Sequence, residues 1–172
     1  MGSGVDTLQI VGLEVELIWE DLAANKIAFE KKIREVVSEK PGLDIVVLPE
    51  NFTSGFSMEI DKVDNWASGE TLEWMKGLAN ELDVAIMGSV AFKMENGSGR
   101  NRGLFVRPKG SCDFYDKRHL FNLGGEDKSY IRGDRRVVVE FRGWKILLQI
   151  CYDLRFPGFS RNVSSDLYDA IV

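Results

Sequence analysis

Histidine occurs once in the 172 residues, at His119, and cysteine twice, at Cys112 and Cys151. One histidine excludes a His-rich zinc site, and any Ser-His-Asp scheme would have to run through it. Two cysteines make neither a disulfide framework nor a Cys-x-x-Cys pair. So few thiols fit a reducing compartment, and a cytoplasmic protein is expected. Basic charge is also in deficit: 22 Lys and Arg face 27 Asp and Glu, for a net charge of −5. An acidic total argues against nonspecific binding to nucleic acid or to an anionic membrane. No apolar run approaches a bilayer span, since even Trp144 to Cys151 is broken by Lys145 and Gln149. The start, Met1-Gly2-Ser3-Gly4-Val5-Asp6, lacks the basic region and apolar core of a signal peptide, and Asp6 breaks the myristoylation pattern. Residues 1–6 therefore read as a flexible leader or a cloning scar. The chain also has no internal repeat, low-complexity tract or linker.

What is present is ordinary globular composition, 44% hydrophobic and 28% charged, at a length suited to one domain with a core. Leu8 to Val15 alternates loosely and reads as a strand. Asp21 is a candidate N-cap for a helix over 22–40, whose apolar stripe is Leu22, Phe29, Ile33 and Val36/Val37. Pro41-Gly42 ends it. Ile45 to Leu48 is a continuous apolar run, hence a strand buried on both faces, and Pro49 terminates it. A second helix is expected over 70–82, buried through Leu72, Met75, Ala79 and Leu82. Val84 to Phe92 reads as a strand, Asn96 to Gly99 as a hairpin turn, and Leu104 to Arg107 as the return strand. Cys112 to Asp116 is a further strand. Residues 118–136 form a long polar segment with Gly124, Gly125 and Gly133, and a loop of that size is often functional. Val137–Phe141 and Trp144–Ile150 pair around Arg142-Gly143, Pro157 opens a turn or helix, and Tyr168 to Val172 begins one more strand. This order implies an α/β fold, a mixed sheet with helices on one face.

Three elements carry chemistry. The strand before Pro49 delivers Glu50 at its C-terminal edge. Tyr115-Asp116-Lys117-Arg118-His119-Leu120-Phe121 taken alone is a charged loop leaving a strand. In Leu147-Leu148-Gln149-Ile150-Cys151-Tyr152-Asp153-Leu154-Arg155-Phe156-Pro157 a cysteine ends an apolar strand and opens a sharp turn. Such elbows present nucleophiles, although buried structural cysteines are common. Together they place a carboxylate, an ammonium and a thiol on three strand ends. An ammonium lowers a thiol's pKa and a carboxylate can take its proton, so a cysteine hydrolase without a histidine base is chemically coherent.

At these residues the sequence resembles the nitrilase superfamily of carbon-nitrogen hydrolases, which use a Glu-Lys-Cys triad in this chain order. Leu48-Pro49-Glu50-Asn51-Phe52-Thr53-Ser54-Gly55-Phe56-Ser57-Met58 is similar to the Glu motif, Tyr115 to Phe121 to the Lys motif and Cys151 to Pro157 to the Cys motif. Gly125-Glu126 matches the place of an auxiliary second Glu. The motifs are most similar to the bacterial omega-amidase branch, which hydrolyses the terminal amide of small 2-oxo-acid amides. The resemblance runs from about Leu8 to Val172. It implies a four-layer αββα sandwich that dimerises, or forms a higher homo-oligomer, and needs no metal or organic cofactor. It also implies Glu50 as general base, Cys151 as nucleophile, and Lys117 with the Tyr152 backbone N–H as oxyanion stabilisers. Glu126 would position the substrate or Lys117.

The chain departs from that pattern in two places. Glu14 stands where the family's first strand ends in Gln, and it reads as structural. The family's fold also continues past Val172, so the resemblance implies a single partial domain over 1–172, truncated at its C-terminal third. A rival reading follows: a truncated, noncatalytic relative acting at most as an assembly partner. Among the other residues, His119 reads as supporting or structural and Cys112 as core. Arg132, Arg135 and Arg136 read as a solvated face with a substrate-carboxylate contact as the alternative. Trp66, Trp74 and Trp144 read as core or interface. The reading predicts that Glu50, Lys117 and Cys151 converge in space; a Cys151 packed away from both would refute it.

Overall fold

The computed structural model describes residues 7–172, and the leader read at 1–6 lies outside them. β1 (Ile10–Gly12) leads to α1 (Leu22–Glu39) and then β2 (Ile45–Val47). Asp21 caps α1, its carboxylate accepting from the Ala24 N–H at 3.0 Å. Phe29, Ile33 and Val36 form its buried stripe. β3 (Asp64–Asn65) precedes α2 (Glu70–Leu82), whose bounds are those the periodicity predicts. Its buried face is rotated slightly from the expected one: Thr71 and Leu78 are buried with Met75 and Ala79, while Leu72 and Leu82 sit at the margin. β4 (Ala85–Lys93), β5 (Gly99–Val106) and β6 (Cys112–Asp116) form an antiparallel run. α3 (Glu126–Ser129), β7 (Val138–Phe141), β8 (Trp144–Leu147), α4 (Pro157–Ser160) and β9 (Ala170–Ile171) complete the described elements.

The strands divide into two sheets rather than the one that the order of elements suggests. The first has the order β1-β2-β4-β5-β6, with β3 pairing the far end of β4; β1, β2 and β4 are parallel. The second is β7-β8-β9. The reason lies in the faces. On the first sheet Val46, Ile86, Val90, Leu104 and Val106 pack against α1 and α2. The opposite face presents Ile45, Met87, Phe105 and Tyr115, which need a second apolar cover. Val139, Phe141 and Ile146 of the β7–β8 hairpin supply it, with Leu148 and Ile150 just beyond β8. The α/β fold with two stacked sheets is thus formed as the family resemblance implies. Among the described residues it has three layers, since no helix longer than one turn accompanies the smaller sheet. No described helix is long and apolar enough to cross a membrane.

Two loops between elements are pinned as tightly as the strands. Asn25 of α1 is buried, and its side-chain amide donates to the Thr53 carbonyl at 2.6 Å and the Ile18 carbonyl at 2.7 Å. Thr53 and Thr71 both donate to the buried Asp64 carboxylate. Burial holds the Asp64 carboxyl above the usual carboxylate range, and the two hydroxyl hydrogen bonds oppose that. From the other side, Tyr130 donates to the Ser57 carbonyl at 2.5 Å and Ser129 to the Met58 carbonyl at 2.8 Å. The segment after Glu50 is therefore clamped between α1 and the polar segment 118–136, where a one-turn helix interrupts the expected loop.

Gly133 closes that long segment back onto β6. Its N–H donates to the Lys117 carbonyl at 2.8 Å, and a Cβ here would land on the Asp116 carbonyl oxygen. Gly133→Ala is expected to destabilise the chain by about 1–3 kcal/mol, as overpacking against backbone does. A urea titration checks this through a lowered midpoint at unchanged slope.

Candidate active site

Each expected site residue sits just after a regular element or at the start of one. β2 ends at Val47, and Pro49 allows no further ladder donor, so Glu50 leaves the sheet at its C-terminal edge. Lys117 follows the last residue of β6, and its N–H still donates to the Asn101 carbonyl of β5 at 2.9 Å. Glu126 opens α3. Cys151 begins a 3-10 turn over Cys151–Arg155 at φ +44°, a left-handed conformation for a residue with a Cβ. Asn51, beside Glu50, has φ +49°. Strain on both sides of one site is a feature of functional sites.

The side chains converge. Lys117 Nζ donates to Glu50 Oε1 at 2.6 Å and to Glu126 Oε2 at 2.8 Å. The Lys117 and Glu126 side chains are 1% and 0% exposed, so neither charge is compensated by water. Burial acts to lower the Lys117 pKa, but Glu50 and Glu126 outweigh it and hold the ammonium above its ordinary value. Glu126 Oε2 also accepts the Phe121 N–H at 2.6 Å. Cys151 is exposed and shares a cavity of about 180 Å³ with Glu50, Ser89, Gln149 and Val172. Burial pushes its thiol pKa up, and the neighbouring Glu50 carboxylate pushes the same way by charge and hydrogen bonding. Lys117 opposes both. The resting thiol therefore keeps its proton, with a carboxylate beside it to receive that proton.

Asn101 is a site residue that the sequence reading missed. It is buried in β5, and its Nδ2 donates to Glu50 Oε1 at 2.8 Å and to Glu126 Oε1 at 3.0 Å. It thus bridges the two carboxylates that Lys117 also joins. Its neighbours Arg100, Arg102 and Gly103 make the stretch look like a polar turn. Strand alternation from Gly99 places Asn101 on the same face as Phe105, and no local feature of the sequence marks that register.

The remaining side chains take no part in the Lys117 network. Tyr152 is half-buried, with its ring edge-on to Phe121 and Phe156 at 5.1 and 5.4 Å between centroids. His119 is bonded to Asp153, consistent with a structural role. Cys112 stands at the start of β6, half-buried, and burial raises its pKa to about 11. Arg136 donates to the Phe159 and Arg161 carbonyls and pairs with Asp166 at 2.8 Å, so it is engaged away from the cavity. Trp66 covers the Arg102 guanidinium, 4.3 Å from its ring centroid, and Trp74 packs on Phe52. Glu14, read as structural, is exposed. Among the described residues no group of three or more His, Cys, Asp or Glu is placed to hold a metal ion.

Removing the ammonium isolates buried carboxylates. Lys117→Met is expected to destabilise the chain by about 3–5 kcal/mol at neutral pH. Denaturant titrations of the variant and the unsubstituted chain at neutral pH should show this deficit. The unsubstituted chain itself loses stability at high pH. A raised lysine pKa contributes stability that is complete below the ordinary value of 10.5 and is lost as pH rises through the folded value.

Residues 7–172 match the family model described as carbon-nitrogen hydrolase. Omega-amidase YafV of Escherichia coli (strain K12) is 45% identical over 157 residues, covering 91% of this chain and 59% of that protein. The 2-oxoglutaramate amidase of Bacillus subtilis (strain 168) is 31% identical over 129 residues, covering 73% of this chain and 49% of that protein. The crystal structure of XC1258 from Xanthomonas campestris, a CN-hydrolase superfamily protein with an arsenic adduct in its active site, superposes with a TM-score of 0.83. It is 42% identical, and the match covers 90% of this chain and 57% of that one. This chain thus spans 49–59% of the length of these relatives. A family model matched over all the described residues, the shared two-sheet fold and this degree of identity establish that the chain belongs to the carbon-nitrogen hydrolase family.

Proposed function

We propose that the chain carries the active site of an omega-amidase-type enzyme, which hydrolyses the terminal amide of a small 2-oxo acid through a cysteine thioester and releases ammonia. The observation that carries this reading is the Lys117 ammonium held between Glu50 and Glu126, beside a strained, exposed cysteine. The names of the relatives from E. coli and B. subtilis support the substrate class.

The chemistry follows from the placement. Glu50 takes the Cys151 thiol proton as the sulfur bonds to the amide carbon. The carbonyl π electrons move to oxygen, and the oxyanion is met by Lys117 and by the Tyr152 backbone N–H. That N–H lies in the first turn of a helix, where no carbonyl of the helix can accept it. Collapse breaks the carbon–nitrogen bond, and Glu50 returns its proton to the departing nitrogen, giving ammonia and a thioester. Glu50 then deprotonates a water, which attacks the thioester carbon. Carbon–sulfur cleavage releases the carboxylic acid, and the thiol is restored. Glu126, fully buried and bonded to Lys117, acts by holding the ammonium rather than by reaching substrate. No step uses a metal or organic cofactor.

The partner in this reading is a small amide, not nucleic acid or membrane. Residues 7–172 are read as a single hydrolase domain, partial relative to the longer family fold. Assembly as a homodimer or higher oligomer is carried over from the family resemblance. A cytoplasmic location is supported by the two unpaired thiols, Cys112 and Cys151.

Ammonia release from 2-oxoglutaramate tests the reading. Cys151→Ala and Glu50→Gln should each lower the rate by at least about 10³-fold, as loss of a nucleophile or its base does. Equal rates in the original chain and Cys151→Ala would sink the nucleophile assignment.

A further inference from the structure

Asp153 lies two residues beyond the nucleophile, is fully buried, and plays no part in the chemistry above. Its carboxylate accepts four hydrogen bonds from two separate stretches of chain. Oδ1 takes the His119 N–H at 2.9 Å and the His119 Nδ1–H at 2.8 Å. Oδ2 takes the Tyr115 hydroxyl at 2.8 Å and the Ile150 N–H at 3.0 Å. Four donors meet the four lone-pair sites of a carboxylate, so the group is used in full as an acceptor. The Tyr115 hydroxyl in turn accepts the Arg118 N–H at 3.0 Å. Burial raises the Tyr115 pKa, and the Asp153 charge adds to this, so the hydroxyl stays a donor. The His119 ring lies flat on Phe156, centroids 3.8 Å apart and planes 8° from parallel, closing the far side of the same turn.

These bonds bracket both reactive groups. Tyr115, Arg118 and His119 flank Lys117, while Ile150 and Asp153 flank Cys151. We infer that Asp153 is a positioning residue that ties the left-handed Cys151 turn to the Lys117 strand end, fixing the thiol against Glu50 and Lys117. Cys151 sits at φ +44°, a conformation that relaxes unless its surroundings hold it, and the Asp153 side chain supplies bonds that reach from this turn to the Lys117 strand end. The inference rests on the reading of Cys151 as nucleophile, and its test is chosen to fail separately from that reading.

The probe is iodoacetamide, with labelling at Cys151 and Cys112 followed by peptide mass spectrometry across pH. Cys112 is the internal reference, because its burial is independent of the turn. Two variants are compared, Asp153→Asn and the milder Tyr115→Phe, which removes one of the four bonds. The amide of Asn accepts at only one of its two atoms, so it leaves donors facing donors. In both variants the Cys151 labelling midpoint is expected to move to lower pH, toward that of an ordinary thiol, as the sulfur leaves the Glu50 carboxylate. Labelling near neutral pH then becomes faster, while amide turnover per reactive thiol falls, by about 10²-fold for a displacement of about 1 Å. A merely structural role would lower the melting temperature and leave the midpoint of the folded protein unchanged. That outcome in Tyr115→Phe, which needs no large refolding, would overturn the inference even if Asp153→Asn does not fold. Glu50→Gln separates the two readings. If it leaves the Cys151 midpoint unmoved, the thiol does not face Glu50 and the proposed base is wrong. If it lowers the midpoint and the Asp153 and Tyr115 variants do not, only the positioning role is refuted.

Discussion

One buried ammonium organises this structure. The Lys117 side chain is only 1% exposed, and an isolated charge at that depth would cost several kcal/mol. Two carboxylates from distant parts of the chain offset that cost, Glu50 after β2 and Glu126 at the start of α3. Bringing them together creates a second problem, because two anions then share one cation. Asn101 answers it in part with an N–H₂ group that donates to both. The network therefore requires the end of β2, the middle of β5, the end of β6 and the polar segment to meet at one point. Displacing any of the four leaves a buried charge or donor without its partner.

The surrounding fold is arranged to hold those four ends still. The parallel strands deliver Glu50 at a C-terminal edge, where sheets commonly place their chemistry. The segment that follows is anchored by Asn25 from the helical side and by Tyr130 and Ser129 from the other. Two of the six described non-glycine residues with positive φ, Asn51 and Cys151, lie next to Glu50 and at the thiol itself. The Cys151 side chain is consequently exposed, and burial and the Glu50 carboxylate beside it hold its thiol in the protonated form.

Much of this was legible in the sequence, and the parts that were not share a cause. The α2 boundaries, the Asp21 cap and β6 follow from periodicity and local capping chemistry, which neighbours in the chain determine. Glu50, Lys117 and Cys151 were legible because each ends an apolar run or stands in a recognisable motif. Asn101 was not, because a lone polar residue between two arginines looks like surface until the strand pairing turns it inward. The division into two sheets was also hidden. The β7–β8 hairpin has the same local pattern whether it extends the first sheet or covers it. Only the apolar demand of Ile45, Met87, Phe105 and Tyr115 decides between them. Asp153 was visible within its motif, but its four partners come from pairings that no local window contains.

The central claim is that the buried Lys117 stays charged because two carboxylates hold it. Lysine side-chain carbon resonances followed by NMR across pH test this most directly, with Lys117 assigned by its absence in Lys117→Arg. The account predicts a Lys117 resonance that does not titrate until above the ordinary lysine value of 10.5. A midpoint near neutrality would mean that burial dominates the carboxylates, and the ammonium-centred site would be contradicted.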